Sequence, residues 1–121
     1  MKRLQALSAI AAAAVLAMAS PAFAHAHLVE STPAANATLS ASPRTINLTF
    51  NERVVPRFSK LELTMPGHGM AIPVTVRVSD DGKRLIGTPR SRLMKGSYKI
   101  VWTAAGADGH KMTGEVAFRV G

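Results

Sequence analysis

The stretch Arg44 to Phe50, RTINLTF, decides the fold class. Its polar residues Thr45, Asn47 and Thr49 alternate with apolar Ile46, Leu48 and Phe50. In an extended chain a period of two places the three apolar side chains on one side, so the segment reads as a strand with one buried face. The same alternation recurs further along. Leu61, Leu63 and Met65 line one face of KLELTM; Ile72, Val74, Val76 and Val78 line one face of AIPVTVRV; Val116, Phe118 and Val120 line one face of EVAFRV. Between these runs stand Pro33-Ala34-Ala35-Asn36, Pro66-Gly67-His68-Gly69, Asp80-Asp81-Gly82-Lys83 and Met94-Lys95-Gly96, all rich in residues that favour turns.

With HLVES, RLIGTP and SYKIVW added, seven short strands are predicted, and no stretch after residue 24 keeps helical periodicity over three turns. Many short strands with frequent turn signals predict an all-β fold: an immunoglobulin-like, seven-stranded Greek-key sandwich or barrel. LMKGSYKIVW strengthens this, because Leu93, Gly96 and Tyr98 are spaced as in a tyrosine corner, where the phenol is tied back to backbone. Trp102 on the same strand is expected in the core. The chain has no cysteine, so no disulfide supports the fold.

The first 24 residues read differently. Lys2 and Arg3 precede an apolar run from Ala6 to Ala19, and Ala22-Phe23-Ala24 supplies the small residues of a cleavage site. The run falls short of the roughly 20 residues that span a bilayer. Residues 1–24 are therefore expected to be a cleaved signal peptide and residues 25–121 one domain, exported to the periplasm and monomeric. Loss of Lys2 and Arg3 would lower the formal net charge from +8 to +6. No basic run with interleaved aromatics is present, so nucleic acid is not an expected partner. The surplus reads as a solvated surface that favours acidic partners or anionic headgroups.

Enzyme signatures are missing. There is no cysteine nucleophile, no Gly-x-Ser-x-Gly turn, no phosphate loop and no carboxylate pair with divided roles. Attention falls on the four histidines: His25 and His27 at the expected new terminus, His68 in a Pro-Gly turn, and His110 in GADGHKM. A terminal histidine can chelate one metal through its α-amine and its imidazole together. Asp108 and His110 would add a carboxylate and a second imidazole. Three nitrogens and one oxygen suit tetragonal Cu(II) better than tetrahedral Zn(II). The competing reading of Asp108-Gly109-His110 is a polar turn between two strands.

The segments HAHLVESTPAANATLSASP, INLTFNE, LELTM and GSYKIVWTAAGADGHKMTGEVAFRV together resemble the CopC/PcoC family of bacterial copper-binding proteins, over nearly all of residues 25–121. The resemblance implies a copper-binding protein of copper resistance and homeostasis, not an enzyme. Its Cu(II) ligands would be His25, with its amine, Asp108 and His110, and its partner a CopD-type inner-membrane copper transporter. Relatives also hold Cu(I) in a methionine-rich loop, but here LTMPGHGMAIPV keeps only Met65, His68 and Met70. That trio is a candidate weak Cu(I) site, against which Met65 continues the buried face of Leu61 and Leu63. Met94 and Met112 read as packing or surface residues.

Three rival readings stand beside this one. His27 completes an amino-terminal x-x-His chelate, which needs a loose terminus with uncommitted backbone amides. A histidine-brace copper monooxygenase needs an open coordination position and a flat aromatic face. Four of the five aromatics after residue 24, Phe50, Tyr98, Trp102 and Phe118, are instead expected inside, leaving only Phe58. The third reading is a plain immunoglobulin-like interaction module.

Overall fold

In a computed structural model, residues 25–121 are described; the expected signal peptide lies outside them. Among the described residues nine strands form two sheets: β1 (Leu28–Thr32), β2 (Ala37–Leu39), β3 (Ile46–Phe50), β4 (Lys60–Met65), β5 (Met70–Ile72), β6 (Val74–Val78), β7 (Arg84–Pro89), β8 (Gly96–Ala105) and β9 (Lys111–Val120). One sheet runs β1-β3-β7-β6 and the other β2-β9-β8-β4-β5. The inward faces meet in one core that contains Ile46, Leu48, Phe50, Leu61, Leu63, Ile100, Val116 and Phe118.

The alternation in RTINLTF maps directly onto this core. Ile46, Leu48 and Phe50 are buried, while Asn47 and Thr49 between them are half-buried. Phe50 meets Trp102 edge to face, with ring centroids 5.2 Å apart. The Trp102 ring covers its cross-strand partner Gly114, where a Cβ would come within 2.5 Å of the indole. Tyr98 stacks on Phe118 and donates its hydroxyl hydrogen to the Met94 carbonyl at 2.7 Å, completing the tyrosine corner. Burial pushes the Tyr98 phenol above its ordinary pKa, so it stays a neutral donor.

The strand count differs from the seven expected, and each difference has a local cause. AIPVTVRV is two strands: Pro73 has no amide hydrogen to give a ladder, and there the chain leaves β4 for β7. Val76, expected to face inward, is 38% exposed on the edge strand β6, whereas Val74 and Val78 pack against the core. The added β2 is three residues long and pairs in parallel with β9. Its entry is set by Asn36, whose φ of 65° is left-handed and whose amide bonds the Ala117 carbonyl at 2.6 Å.

β1 carries a bulge. Its register against β3 slips between Leu28 and Glu30, leaving Val29 exposed and turning both Leu28 and Ser31 toward the interior. This bulge lies one residue from His27, at the end of the sandwich where the candidate ligands meet.

The tyrosine corner yields the first prediction. Tyr98→Phe keeps the ring stack and removes only the hydrogen bond, so chemical denaturation should show a loss of about 1 kcal/mol. An unchanged midpoint would mean that the corner contributes nothing to stability.

Candidate metal centre

Ala26 is fully buried in the core cluster, which fixes the chain on either side of it. The His27 amide donates to Asn51 Oδ1 at 2.6 Å, and the Asn51 amide returns a bond to the His27 carbonyl at 3.0 Å. His25 is thereby held at the rim, half-buried, while the His27 side chain is exposed.

Asp108 and His110 arrive on the β8–β9 turn. The Gly109 amide bonds the Gly106 carbonyl at 2.9 Å, and the Gly106 amide bonds the His110 carbonyl at 3.1 Å. Gly109 takes a left-handed φ of 88°, which a residue with a Cβ rarely adopts. Inside the turn the His110 amide donates to Asp108 Oδ1 at 3.0 Å, and His110 Nδ1 lies 2.8 Å from Asp108 Oδ2. These two contacts with His110, the backbone one first, hold the Asp108 carboxyl below its ordinary pKa. These contacts with Asp108 also fix the orientation of the His110 imidazole.

The structure brings the three principal candidates together. One ligand atom each from His25, Asp108 and His110 lie within 4.8 Å of one another, and the two imidazoles meet edge to face at 4.8 Å. His27 does not join them. Its amide is committed to the Asn51 side chain, and its neighbour Ala26 is wholly inside.

The sequence did not single out Glu52. An isolated bridge between Val54 and Gly106 pins the segment after β3 to the β8–β9 turn. Glu52 Oε1 and Asp108 Oδ1 then share the space above Gly106, 2.7 and 3.4 Å from where a Cβ would stand. Glu52 Oε2 is buried with no hydrogen-bond partner. A buried carboxylate oxygen without a donor is costly unless a cation stands nearby. Glu52 stands outside the three-residue group, so the donor set that fits a divalent metal is two imidazoles and the Asp108 carboxylate, with Glu52 beside it. The only available signal was position: Glu52 follows a buried Phe50 by two residues, at a strand end.

The Met65, His68 and Met70 trio is only loosely assembled. Met65 is buried, with its methyl against Gly96, while His68 and Met70 are exposed on and beside the Pro66–His68 turn. Met65 and Met70 are β4–β5 register partners, and Met94 joins them around a cleft of about 200 Å³ at the end of the sandwich opposite His25. Met94 is 66% exposed and Met112 is partly buried against the core.

Fold and cluster together define an immunoglobulin-like sandwich with a candidate metal centre at one end. A family model described as the CopC domain matches residues 28–121, and the chain belongs to that family. Copper resistance protein C of Xanthomonas campestris pv. juglandis is 44% identical over 121 residues, covering 95% of this chain and 94% of that protein. Among solved structures, PcoC, a methionine-rich copper resistance protein from Escherichia coli, superposes with a TM-score of 0.74 at 34% identity, over 81% of this chain and all of that one. CopC from Methylosinus trichosporium OB3b gives 0.73 at 27% identity, over 79% and 93% of the two chains.

Glu52 supplies the second prediction. Glu52→Gln removes the charge of a half-buried carboxylate whose Oε2 has no hydrogen-bond partner, so the metal-free protein should be at least as stable as the parent. The rise in melting temperature on adding Cu(II) should shrink. A less stable metal-free variant would assign Glu52 a structural role instead.

Proposed function

We propose that this chain is an exported copper-binding protein that carries or sequesters Cu(II) in the periplasm, with His25, Asp108 and His110 as ligands. The observation that supports it most is the convergence of these side chains from two distant parts of the chain beside the unpartnered Glu52 oxygen. Two imidazoles, the α-amine of a chain starting at His25 and a carboxylate form a tetragonal N/O set, the type that favours Cu(II). Asp108 already lies below its ordinary pKa.

Binding, rather than catalysis, is the reading the surroundings favour. Four aromatics lie in the core, and exposed Phe58 already carries Arg57 and Lys111 over its ring at 5.2 and 5.7 Å. Among the described residues no flat aromatic face remains beside the cluster to stack on a polysaccharide. A plain interaction module would leave the buried Glu52 oxygen and the His/Asp/His convergence without a cause. In this reading the metal passes to or from a CopD-type inner-membrane copper transporter. Cu(I) retention at Met65, His68 and Met70 is expected to be weak, because the Met65 thioether is committed to packing against Gly96.

Two measurements test this. His110→Ala should weaken Cu(II) binding by about a hundredfold or more and alter its EPR spectrum, while His27→Phe leaves both nearly unchanged. The reverse pattern would move the site to the x-x-His chelate. Met70→Leu should leave the total copper bound per chain unchanged under reducing conditions; a lost equivalent would make the methionine loop a true Cu(I) site.

A further inference from the structure

The acidic side chains of the molecule are placed unevenly between its two ends. Of the seven acidic residues, Glu52, Asp80, Asp81 and Asp108 lie in the loops of the end that holds His25, and Glu30, Glu62 and Glu115 lie within strands. The loops of the opposite end, residues 33–36, 40–45, 66–69 and 90–95, carry no acidic side chain; they carry Arg44, Arg90, Arg92 and Lys95.

Three of these residues share one cleft. Arg44, Arg90 and Arg92 line one cleft of about 390 Å³, together with Thr88 and Ser91. The cleft is built rather than incidental, because the Leu93 amide donates to Ser42 Oγ at 2.8 Å and so ties the 90–95 loop to the 40–45 loop. None of the three guanidiniums is ion-paired among the described residues, where the ion pairs are Lys99–Glu115 and His110–Asp108. Arg90 reaches only a neutral hydroxyl, Thr75 Oγ1, at 3.4 Å. Three cationic side chains along one cleft, with no counterion among the described residues, suit an anion.

An apolar cleft adjoins the basic one. Ser91 and Arg92 belong to both, and the second is lined by Met65, Met70 and Met94. Met94 and Met70 stand 66% and 48% exposed beside the arginines. A guanidinium fork matches phosphate geometry, and flexible thioethers tolerate an irregular apolar layer. We propose that this end of the sandwich docks on an anionic phospholipid surface, with Arg44, Arg90 and Arg92 on headgroup phosphates and Met94 and Met70 at the acyl boundary. An acidic peptide would satisfy the arginines and leave the methionine tips in water. In this orientation the four loop carboxylates of the other end, and the copper cluster among them, face away from the anionic leaflet.

The test is flotation of the exported, processed protein with vesicles of phosphatidylcholine alone and of equal parts phosphatidylcholine and phosphatidylglycerol, at about 0.1 M salt. The protein should float with the anionic vesicles only. Each basic side chain close to such a surface contributes about a fivefold gain, so Arg44→Gln/Arg90→Gln/Arg92→Gln should lower partitioning by about a hundredfold. Met94→Ser should lower it severalfold. A control with the same net charge, Lys60→Gln/Arg77→Gln/Lys83→Gln, should retain most of the binding. Copper titrations and metal-free melting curves of the arginine variant should match the parent. Absence of flotation, equal loss in the two triple variants, or arginine-dependent capture by an immobilised acidic peptide without flotation would each overturn the proposal.

Discussion

The candidate site depends on one constraint, the burial of Ala26 with the two-way clamp between His27 and Asn51. A segment leading into an edge strand has no ladder of its own to hold it and would ordinarily fray. Here a methyl group in the core and two short hydrogen bonds remove that freedom. His25 is left one residue outside the anchor, with too little chain to wander from His110. The clamp also engages the very amide that a terminal x-x-His chelate would have to deprotonate, so one interaction favours one metal-binding mode and works against the other.

The opposite wall of the cluster is set by the tie between the two sheets. Val54 and Gly106 bridge the segment after β3 to the β8–β9 turn, and the absence of a side chain at Gly106 leaves room for the carboxylates of Glu52 and Asp108. The Asp108–His110 contacts are local, made within three residues, so half of the donor set is organised by a turn and half by tertiary packing. The free protein carries an unpartnered buried oxygen at Glu52, a local cost of the kind expected where a cation binds.

Much of this was legible in the chain because the relevant signals have short range. Alternation in RTINLTF, KLELTM and EVAFRV gave the buried faces, the LMKGSY spacing gave the tyrosine corner, and Asp108-Gly109-His110 together with His25 gave the cluster. The parts that escaped are those set by partners far away in sequence. β2 is a three-residue strand defined only by lying beside β9, and the break of AIPVTVRV at Pro73 depends on which sheet each half joins. Val76 belongs to an inward-reading alternation yet lies on an edge that nothing covers. Glu52 looked like one more loop carboxylate, and Met94 carried no spacing of its own until the loops around it were in place.

The central proposal is that His25, at the terminus of the processed protein, binds copper through its amine and imidazole together. The direct measurement is a Cu(II) titration, followed by the fluorescence of the single tryptophan, Trp102, on protein beginning at His25 and on protein extended by one residue before it. Metal-free melting curves are recorded alongside. The account predicts equal melting temperatures and a sharp fall in Cu(II) affinity for the extended form, because an amide near neutral pH is a far poorer donor than the amine it replaces. Equal affinities in the two forms would contradict it.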